Sequence, residues 1–599
     1  MLSRILAAAS IAGAVVALPI AAQPAGSELS ADSAPPPSVP RSVLERYVGR
    51  YELNGTIVTV GLTDDDRLTV QLTGQPVSSP LRTVSANEFA GDAAGVRLFF
   101  EGEGPQATRI RSRYAGSEVV GTRLSDSAAE APSATFMPRS STIPDTPAGR
   151  QFSGWLQAFN SDDPDAFEAH MRQEYPAWSA PPGATRELRN VTGGFEPVGV
   201  VSASESQIVV LLRERDWEDS FARVTIDVEP QPGGKITGAW LQGAPPLPDI
   251  APVQRMSESQ ALAAIKAKLD AASAAGQFAG AVRVARNGET VFEYASGQAD
   301  RERGVANTSD TLFRIGSMNK MFTAVSVLQL VEAGKIDLDV PIATYLPDYP
   351  NKDVASRVTV KHLLTHTGGT GDFFGPEFNQ HRLELCEHSD YLKLFGTRDV
   401  AFTPGERFAY SNYGYLMLGA IIEAVTGQSY YDYVQEHVYA PAGMRATASL
   451  PEAVEVPGRS IGYTARIPGA NGVLQPNTDT LPCRGASAGG GYSTVGDLIR
   501  FSEALRAGKL VSSKLLEEAT RTQVATGPGG GYGYGFVSTQ VNGTRAFGHS
   551  GGAPGMSADL MVFPEPGYEV AIAANMDSSL VTRLTAYLGA RLPVPDSGS

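Results

Sequence analysis

Three short stretches of this sequence carry side chains suited to activating a hydroxyl and holding a carbonyl. Ser317-Met318-Asn319-Lys320 is a Ser-x-x-Lys. On a helix, that spacing sets the amine one turn beyond the hydroxyl on the same face. The helix start adds unpaired backbone N–H groups, which favour negative charge as it develops. A buried ammonium loses its proton more easily than one in water, so Lys320 is suited to deprotonating Ser317. Tyr410-Ser411-Asn412 offers a phenol oxygen as a second base and an amide to hold a substrate carbonyl. His549-Ser550-Gly551-Gly552 closes an expected strand, where glycine lets a substrate lie against the backbone. The chemistry this set suits is attack by Ser317 on an ester or amide carbonyl.

Such residues need a frame. The run 321–333 after Ser317 is apolar nearly all round and stops at Gly334, which predicts a buried helix. A second helix is expected over 416–426, after Asn412. Upstream, Ser257 with Gln260 forms a capping box that opens an amphipathic helix reaching Ala274. Apolar runs 280–285 and 290–295 flank Asn287-Gly288, a type I′ hairpin signal. Further runs over 534–541, 544–549, 557–563 and 569–574 precede a terminal helix over 578–592. The pattern predicts an α+β domain over 256–595. Its antiparallel sheet is built from two early and three late strands. Helices from both chain ends cover one face, and a mostly helical insertion covers the other.

The whole chain has 599 residues, 42% hydrophobic, with a formal charge of −15. That length exceeds what one core supports, at roughly 250–300 residues. The acidic balance without Lys/Arg blocks excludes nucleic acid as the expected partner. Arg4, an apolar run over 5–18 and small residues at Ala21 and Ala22 read as a secretory signal peptide, residues 1–22. The run is shorter than the ~20 residues of a spanning helix. The expectation is an exported protein, periplasmic or secreted, with no transmembrane anchor after signal cleavage. Linkers are expected at 23–41, 125–149 and 243–255, the last with Pro245, Pro246, Pro248 and Pro252. Between them, short alternating runs predict a small all-β barrel-like domain over 42–124, with Asp64-Asp65-Asp66 as a solvated turn. A small α+β domain is expected over 150–242, with a helix across 152–172 and strands near 206–212, 222–228 and 236–241.

With these motifs in order, residues 277–576 resemble the serine β-lactamase, penicillin-binding-protein and esterase superfamily, most closely its class C branch and D-peptidase relatives. The likeness extends to His362-Leu363-Leu364-Thr365-His366-Thr367-Gly368-Gly369, Gly489-Gly490-Gly491-Tyr492-Ser493 and Phe547-Gly548-His549-Ser550-Gly551-Gly552. The resemblance implies a β-lactamase-like fold. It makes Ser317 the nucleophile, with Lys320 and Tyr410 sharing proton transfer. Asn412, His549, Ser550 and Gly551 then contact substrate, the N–H groups of Ser317 and Gly552 form an oxyanion hole, and no cofactor is needed. One departure matters: β-lactamases usually carry Lys-Thr-Gly where this chain has His549-Ser550-Gly551. A histidine of ordinary pKa, ~6.5, is largely neutral at pH 7.5, so the fixed charge that pairs with a substrate carboxylate is lost. Residues 42–124 resemble, in Tyr47-Val48-Gly49-Arg50-Tyr51 and Gly74-Gln75-Pro76, the lipocalin-like domain found beside some of these hydrolases.

Plainer readings take the remaining candidates. Tyr349-Pro350-Asn351 is a Pro-bounded turn. His366-Thr367-Gly368 lacks a preceding strand and reads as a structural segment. His362 and His366 are spaced like metal ligands on a helix but lack a third, so no metal is expected. Near His381 and His388, Cys386 is better paired with Cys483 as a disulfide in an exported chain. The expected function is an exported serine hydrolase acting on a small ester, amide or peptide through a Ser317 acyl-enzyme. The alternatives are β-lactamase or D-alanyl-D-alanine carboxypeptidase activity by the same mechanism, or a noncatalytic ligand-binding protein on a hydrolase scaffold.

Overall fold

The computed structural model describes residues 39–53, 56–63, 66–72, 79–90, 97–102, 104–114, 117–124, 142–161, 163, 165–176, 178, 184–229, 231–244, 253–467, 470, 473–527 and 530–595. The expected signal peptide and most of the three expected linkers lie outside the described residues.

The C-terminal part is organised around one sheet. Ser257 and Gln260 exchange the two bonds of a capping box and open α1 (Glu258–Ala274). Asn287 and Gly288 take φ of 50° and 87° and join β1 (Gly280–Arg286) to β2 (Glu289–Ser296). The helices that matter next are α2 (Asn319–Glu332), α3 (His388–Phe395), α4 (Asn412–Thr426) and α5 (Val495–Arg506). Late strands are β3 (Val524–Gly527), β4 (Gly530–Tyr532), β5 (Val537–Val541), β6 (Thr544–Ala553), β7 (Met556–Phe563) and β8 (Tyr568–Ala574), and α6 (Leu580–Arg591) ends the domain. The sheet is antiparallel, in the order β2-β1-β8-β7-β6-β5-β4-β3.

Strand alternation divides the core. On β1 and β8, Val282, Val284, Val570 and Ile572 face α1 and α6, meeting Ile265, Leu269, Leu584 and Leu588. The intervening Ala281, Ala285, Ala571 and Ala573 face the helical insertion, where short side chains let α2, α4 and α5 approach closely. The sheet has eight strands where five were expected: all four late runs are strands, β5 to β8, and two more join them. β3 and β4 escaped the pattern because they are short and glycine-rich. The run expected from 534 starts at Val537, since Gly533 to Phe536 form a turn closed by the Gly533 N–H to the Phe536 carbonyl.

Ahead of this sheet, three helices (Pro147–Phe159, Ala166–Glu174, Ala184–Thr192) precede a four-stranded antiparallel meander over 195–244. The first helix begins inside the expected second linker, where Thr146 Oγ1 accepts the Gly149 N–H and Pro147 occupies the first turn. The single helix expected over 152–172 is two helices. The strand Phe195–Ala203 was hidden by Pro197 and two bulges. This element group packs on the outer helices of the eight-stranded sheet. Buried Glu214 pairs with Arg583 of α6, Arg591 reaches Glu218 at 2.9 Å and Asp219 at 3.3 Å, and Lys268 of α1 stands 4.6 Å over the Trp217 ring.

The N-terminal domain is a separate unit holding one nine-stranded antiparallel sheet. Its two edge strands, Ser79–Pro80 and Arg82–Thr83, are separated by one residue, Leu81. A sheet whose opposite edges are that close must curl into a near-barrel. Tyr47, Tyr51, Phe89 and Phe100 fill it. Among the described residues, no helix is long and apolar enough to cross a membrane.

Candidate active site

Ser317 sits in a single 3-10 turn, Gly316–Met318, that runs directly into α2. Lys320 lies at the first turn of α2 and is wholly buried. Its Nζ donates to Asn412 Oδ1 at 2.7 Å and to the Ala488 carbonyl at 2.6 Å, and stands 4.7 Å over the Tyr410 ring. Two of its N–H directions are thus committed, leaving one position for a lone pair or a proton. Burial pushes Lys320 down to about 7, against the upward pull of Asp372. The Ser317 side chain lies near enough to the Tyr410 phenol to influence its pKa. Burial raises that phenol far above its ordinary range; Ser317 opposes the rise and Asp372 adds to it. Of the two groups, the amine is therefore the one that gives up its proton near neutrality.

Asn412 opens α4, with Ser411 as its cap: Ser411 Oγ accepts the Gly414 N–H at 2.9 Å. The Asn412 amide bridges two charges, accepting from Lys320 and donating from Nδ2 to Asp372 Oδ2 at 3.0 Å. Asp372 carries no motif in the sequence; a lone acid in a glycine-flanked loop has no spacing to betray it.

The turn carrying Ser317 lies backbone to backbone against the end of β6. A Cβ on Gly551 would stand 1.9 Å from the Ile315 carbonyl and 2.9 Å from the Ser317 nitrogen. Gly316 has φ 50°, and a Cβ there would meet the Gly552 nitrogen at 2.7 Å. Only glycine permits this approach, which sets the Ser317 and Gly552 amides side by side. Pairing of β6 with β5 ends at Gly548, so residues 549–553 continue as an edge beside the serine.

His549 is buried at 4% exposure, and both its ring nitrogens are engaged by protein. Nδ1 lies 2.5 Å from the Ser550 carbonyl and must donate to it, so Nε2 accepts, receiving the Tyr532 hydroxyl at 3.0 Å. Burial drives His549 down to about 3, with Lys320 adding to the fall and the Ser550 carbonyl opposing it. The ring is neutral and presents no free hydrogen-bonding atom to a substrate.

Two residues read as bland in the sequence turn out to have distinct roles. His366, 1% exposed and at φ 58°, packs its ring 4.2 Å from that of Tyr410 and 4.7 Å from that of Tyr532. Its Nδ1 accepts the Ser411 N–H at 3.1 Å, fixing the backbone between Tyr410 and Asn412. His362 instead caps its own helix, where its Nδ1 accepts the Thr359 N–H at 3.3 Å. Tyr532 was hidden because it belongs to the glycine-rich strand that the pattern missed. Tyr349 meets Tyr413 at 3.1 Å, oxygen to oxygen, and Asn351 caps a short helix, so that Tyr-x-Asn lies in the packing. Cys386 and Cys483 are joined in a disulfide. Among the described residues, no group of three or more His, Cys, Asp and Glu is arranged to hold a metal.

With this geometry in place, comparison with known proteins is informative. A family model described as Beta-lactamase matches residues 265–592. Penicillin-binding protein 4 of Amycolatopsis lactamdurans is 31% identical over 304 residues, covering 48% of this chain and 77% of its own. Esterase EstB of Burkholderia gladioli is 32% identical over 324 residues, covering 48% of this chain and 82% of its own. The crystal structure of a penicillin binding protein from Bacillus halodurans aligns with a TM-score of 0.49 at 29% identity, covering 55% of this chain and 97% of that one. Through its C-terminal half, this chain belongs to the beta-lactamase family of serine hydrolases.

Proposed function

We propose that the protein is an exported hydrolase of neutral esters or amides, working through a Ser317 acyl-enzyme. The observation that carries this reading is the buried Lys320, which stands 4.7 Å over the Tyr410 ring, is held by Asn412 and the Ala488 carbonyl, and has its pKa lowered to about 7. Ser317 Oγ attacks the carbonyl carbon while its proton passes by way of Tyr410 toward Lys320. The tetrahedral oxyanion is held by the Ser317 and Gly552 N–H groups. The proton returns through Tyr410 to the leaving oxygen or nitrogen as the acyl-enzyme forms. Water then attacks the acyl carbon, giving up a proton along the same route and restoring the serine. The remaining Asn412 Nδ2 hydrogen is suited to a substrate carbonyl.

Substrate class follows from His549. A neutral ring with both nitrogens engaged supplies no charge for a carboxylate, which favours esters and amides over penicillins and C-terminal D-amino acids. The likeness to Esterase EstB supports the ester reading. The likeness to Penicillin-binding protein 4 supports penicillin recognition as the second reading. A panel of p-nitrophenyl esters, D-amino acid amides, nitrocefin and D-Ala-D-Ala peptides, with intact-mass detection of the acyl-enzyme, separates the two. Ser317→Ala is expected to abolish turnover and the mass increment while keeping its melting temperature. Hydrolysis undiminished in that variant removes Ser317 from the mechanism. Export rests on the leader at 1–22 and is checked by N-terminal sequencing of the secreted or periplasmic fraction.

A further inference from the structure

A second serine, histidine and acid stand in line inside the protein, away from Ser317. Ser487 Oγ lies 2.8 Å from His388 Nε2, and His388 Nδ1 lies 3.0 Å from Glu423 Oε1. Ser487 and His388 are both 0% exposed. These spacings are those of a hydrolytic triad, in which the ring accepts the serine proton. Here the proton order is reversed. Ser487 donates its own hydrogen to the Tyr415 carbonyl at 2.8 Å, so the ring donates from Nε2 to Ser487, with Nδ1 turned to the carboxylate. Burial pulls Glu423 upward, but His388, the Tyr430 amide and Arg484 outweigh it and hold the carboxylate below its ordinary range. Ser487 has no base to activate it and no exposure to substrate.

The three residues instead fix a loop. The carbonyl of Ser487 lies 2.7 Å from Thr323 Oγ1 on α2, and the next carbonyl, of Ala488, receives Lys320 Nζ. Glu423 belongs to α4, the helix whose first residue, Asn412, supplies the other acceptor of Lys320. Gly419, on the same helix, makes room: a Cβ there would stand 2.3 Å from His388 Nε2 and 2.5 Å from Ser487 Oγ. The Cys386–Cys483 disulfide ties the approach to His388 to the approach to Ser487, and Arg484 lies over the Tyr431 ring at 3.2 Å.

We propose that Ser487, His388 and Glu423 are a positioning triad, buried at its serine and histidine, that holds the Ala488 carbonyl against Lys320 and so sets how readily Lys320 takes the Ser317 proton. The inference rests on the reading of Lys320 as the base, but its decisive readout does not depend on turnover. Lys320 is faced by Asn412, Asp372, the Tyr410 and Tyr415 rings, His366 and His549. None of these is altered in Ser487→Ala or Glu423→Gln. The Ala488 bond is stronger to an ammonium than to an amine, so loosening it is expected to lower the Lys320 midpoint by about one pH unit. That midpoint is read by NMR on lysine-labelled full-length protein. Hydrolysis of p-nitrophenyl acetate is expected to lose ~10-fold or more in kcat with KM held within about twofold, as a misplaced base should. Folded variants with unchanged midpoint and kcat overturn the proposal. A shifted midpoint alongside an active Ser317→Ala variant upholds the triad and rejects the acyl-enzyme reading instead. Where a variant does not fold, the wild type decides: 15N spectra must show a hydrogen on His388 Nε2 bonded toward Ser487, and an Nε2 without one overturns the wiring. Fluorophosphonate attached to Ser487 in the Ser317→Ala protein overturns it equally.

Discussion

Asp372→Asn should move the acidic limb of the pH–rate profile downward. The limb reports the loss of a proton from Lys320, which burial brings to about 7. Asp372 is the opposing influence, acting across a single amide: Lys320 to Asn412 Oδ1 is 2.7 Å and Asn412 Nδ2 to Asp372 is 3.0 Å. That bridge keeps the carboxylate within roughly 8 Å of the amine, where an effective dielectric of ~20 gives an attraction of about 2 kcal/mol. Asp372 is partly exposed, so solvent screening reduces this to about 1 kcal/mol, or somewhat under one pH unit. Asparagine keeps an oxygen for the Asn412 bond and removes only the charge. The assay is kcat/KM for a neutral p-nitrophenyl ester from pH 5 to 9, with melting temperature followed in parallel. The expected result is a limb lowered by about half to one unit with the plateau changed by less than about tenfold. A limb that stays in place or moves upward refutes the assignment of Lys320 as the titrating base.

Three further outcomes are expected. Tyr532→Phe removes the donor to His549 Nε2, so 15N spectra should show that nitrogen without its hydrogen bond, and neutral ester hydrolysis should fall by no more than about tenfold, as the loss of one hydrogen bond implies; an unchanged His549 spectrum contradicts the assignment of Tyr532 as the donor. Gly551→Ala forces a Cβ onto the Ile315 carbonyl and separates the two oxyanion amides, so kcat should drop by ~10²-fold or more, measured as single-turnover acylation. Lys320→Met should stabilise the protein at low pH, as denaturant titrations at pH 6 and 9 can show. The folded pKa, about 7, lies below the ordinary 10.5, so the unfolded chain binds more protons between those values and wild-type stability rises with pH across that window. Below pH 7 the buried ammonium costs the full difference, about 5 kcal/mol at most, and methionine removes that cost; equal stability gains at both pH values would contradict a lowered lysine.

The frame of the catalytic domain was legible wherever local chemistry has a single solution. Ser257 with Gln260 and Asn287-Gly288 name a cap and a turn whose geometry follows from the residues themselves, and the structure has both. Boundaries failed where glycine suppressed alternation, as in β3 and β4, or where proline and bulges broke it, as in Phe195–Ala203. The site divided along the same line. Ser317, Lys320, Tyr410 and Asn412 were visible because regular spacing along a helix or at its start makes a pattern. Asp372, His366 and Tyr532 were not, because their contribution depends on contacts across the fold: an amide bridge, a ring face and a single hydroxyl. His366 was read as structural from its position in the chain, and only packing reveals that its ring lies against Tyr410.

The same burial that makes Lys320 a base also explains why position 549 is neutral. The two groups share one low-dielectric layer: burial is the main cause of the fall in both, and Lys320 adds to the fall of His549. An ammonium at 549 would add a second cation to that layer without a protein carboxylate to meet it, since the ring's partners here are the Tyr532 hydroxyl and the Ser550 carbonyl. The two amines would then titrate as a pair, with Lys320 driven lower still and weakened as a base. His549→Lys should therefore not install efficient carboxylate recognition by itself. Its kcat/KM for neutral esters should fall, and the acidic limb should move below that of the wild type. A variant that gains carboxylate-bearing substrates while keeping the wild-type limb would mean that the two positions are not electrostatically coupled, and that the neutrality of His549 is unrelated to the basicity of Lys320.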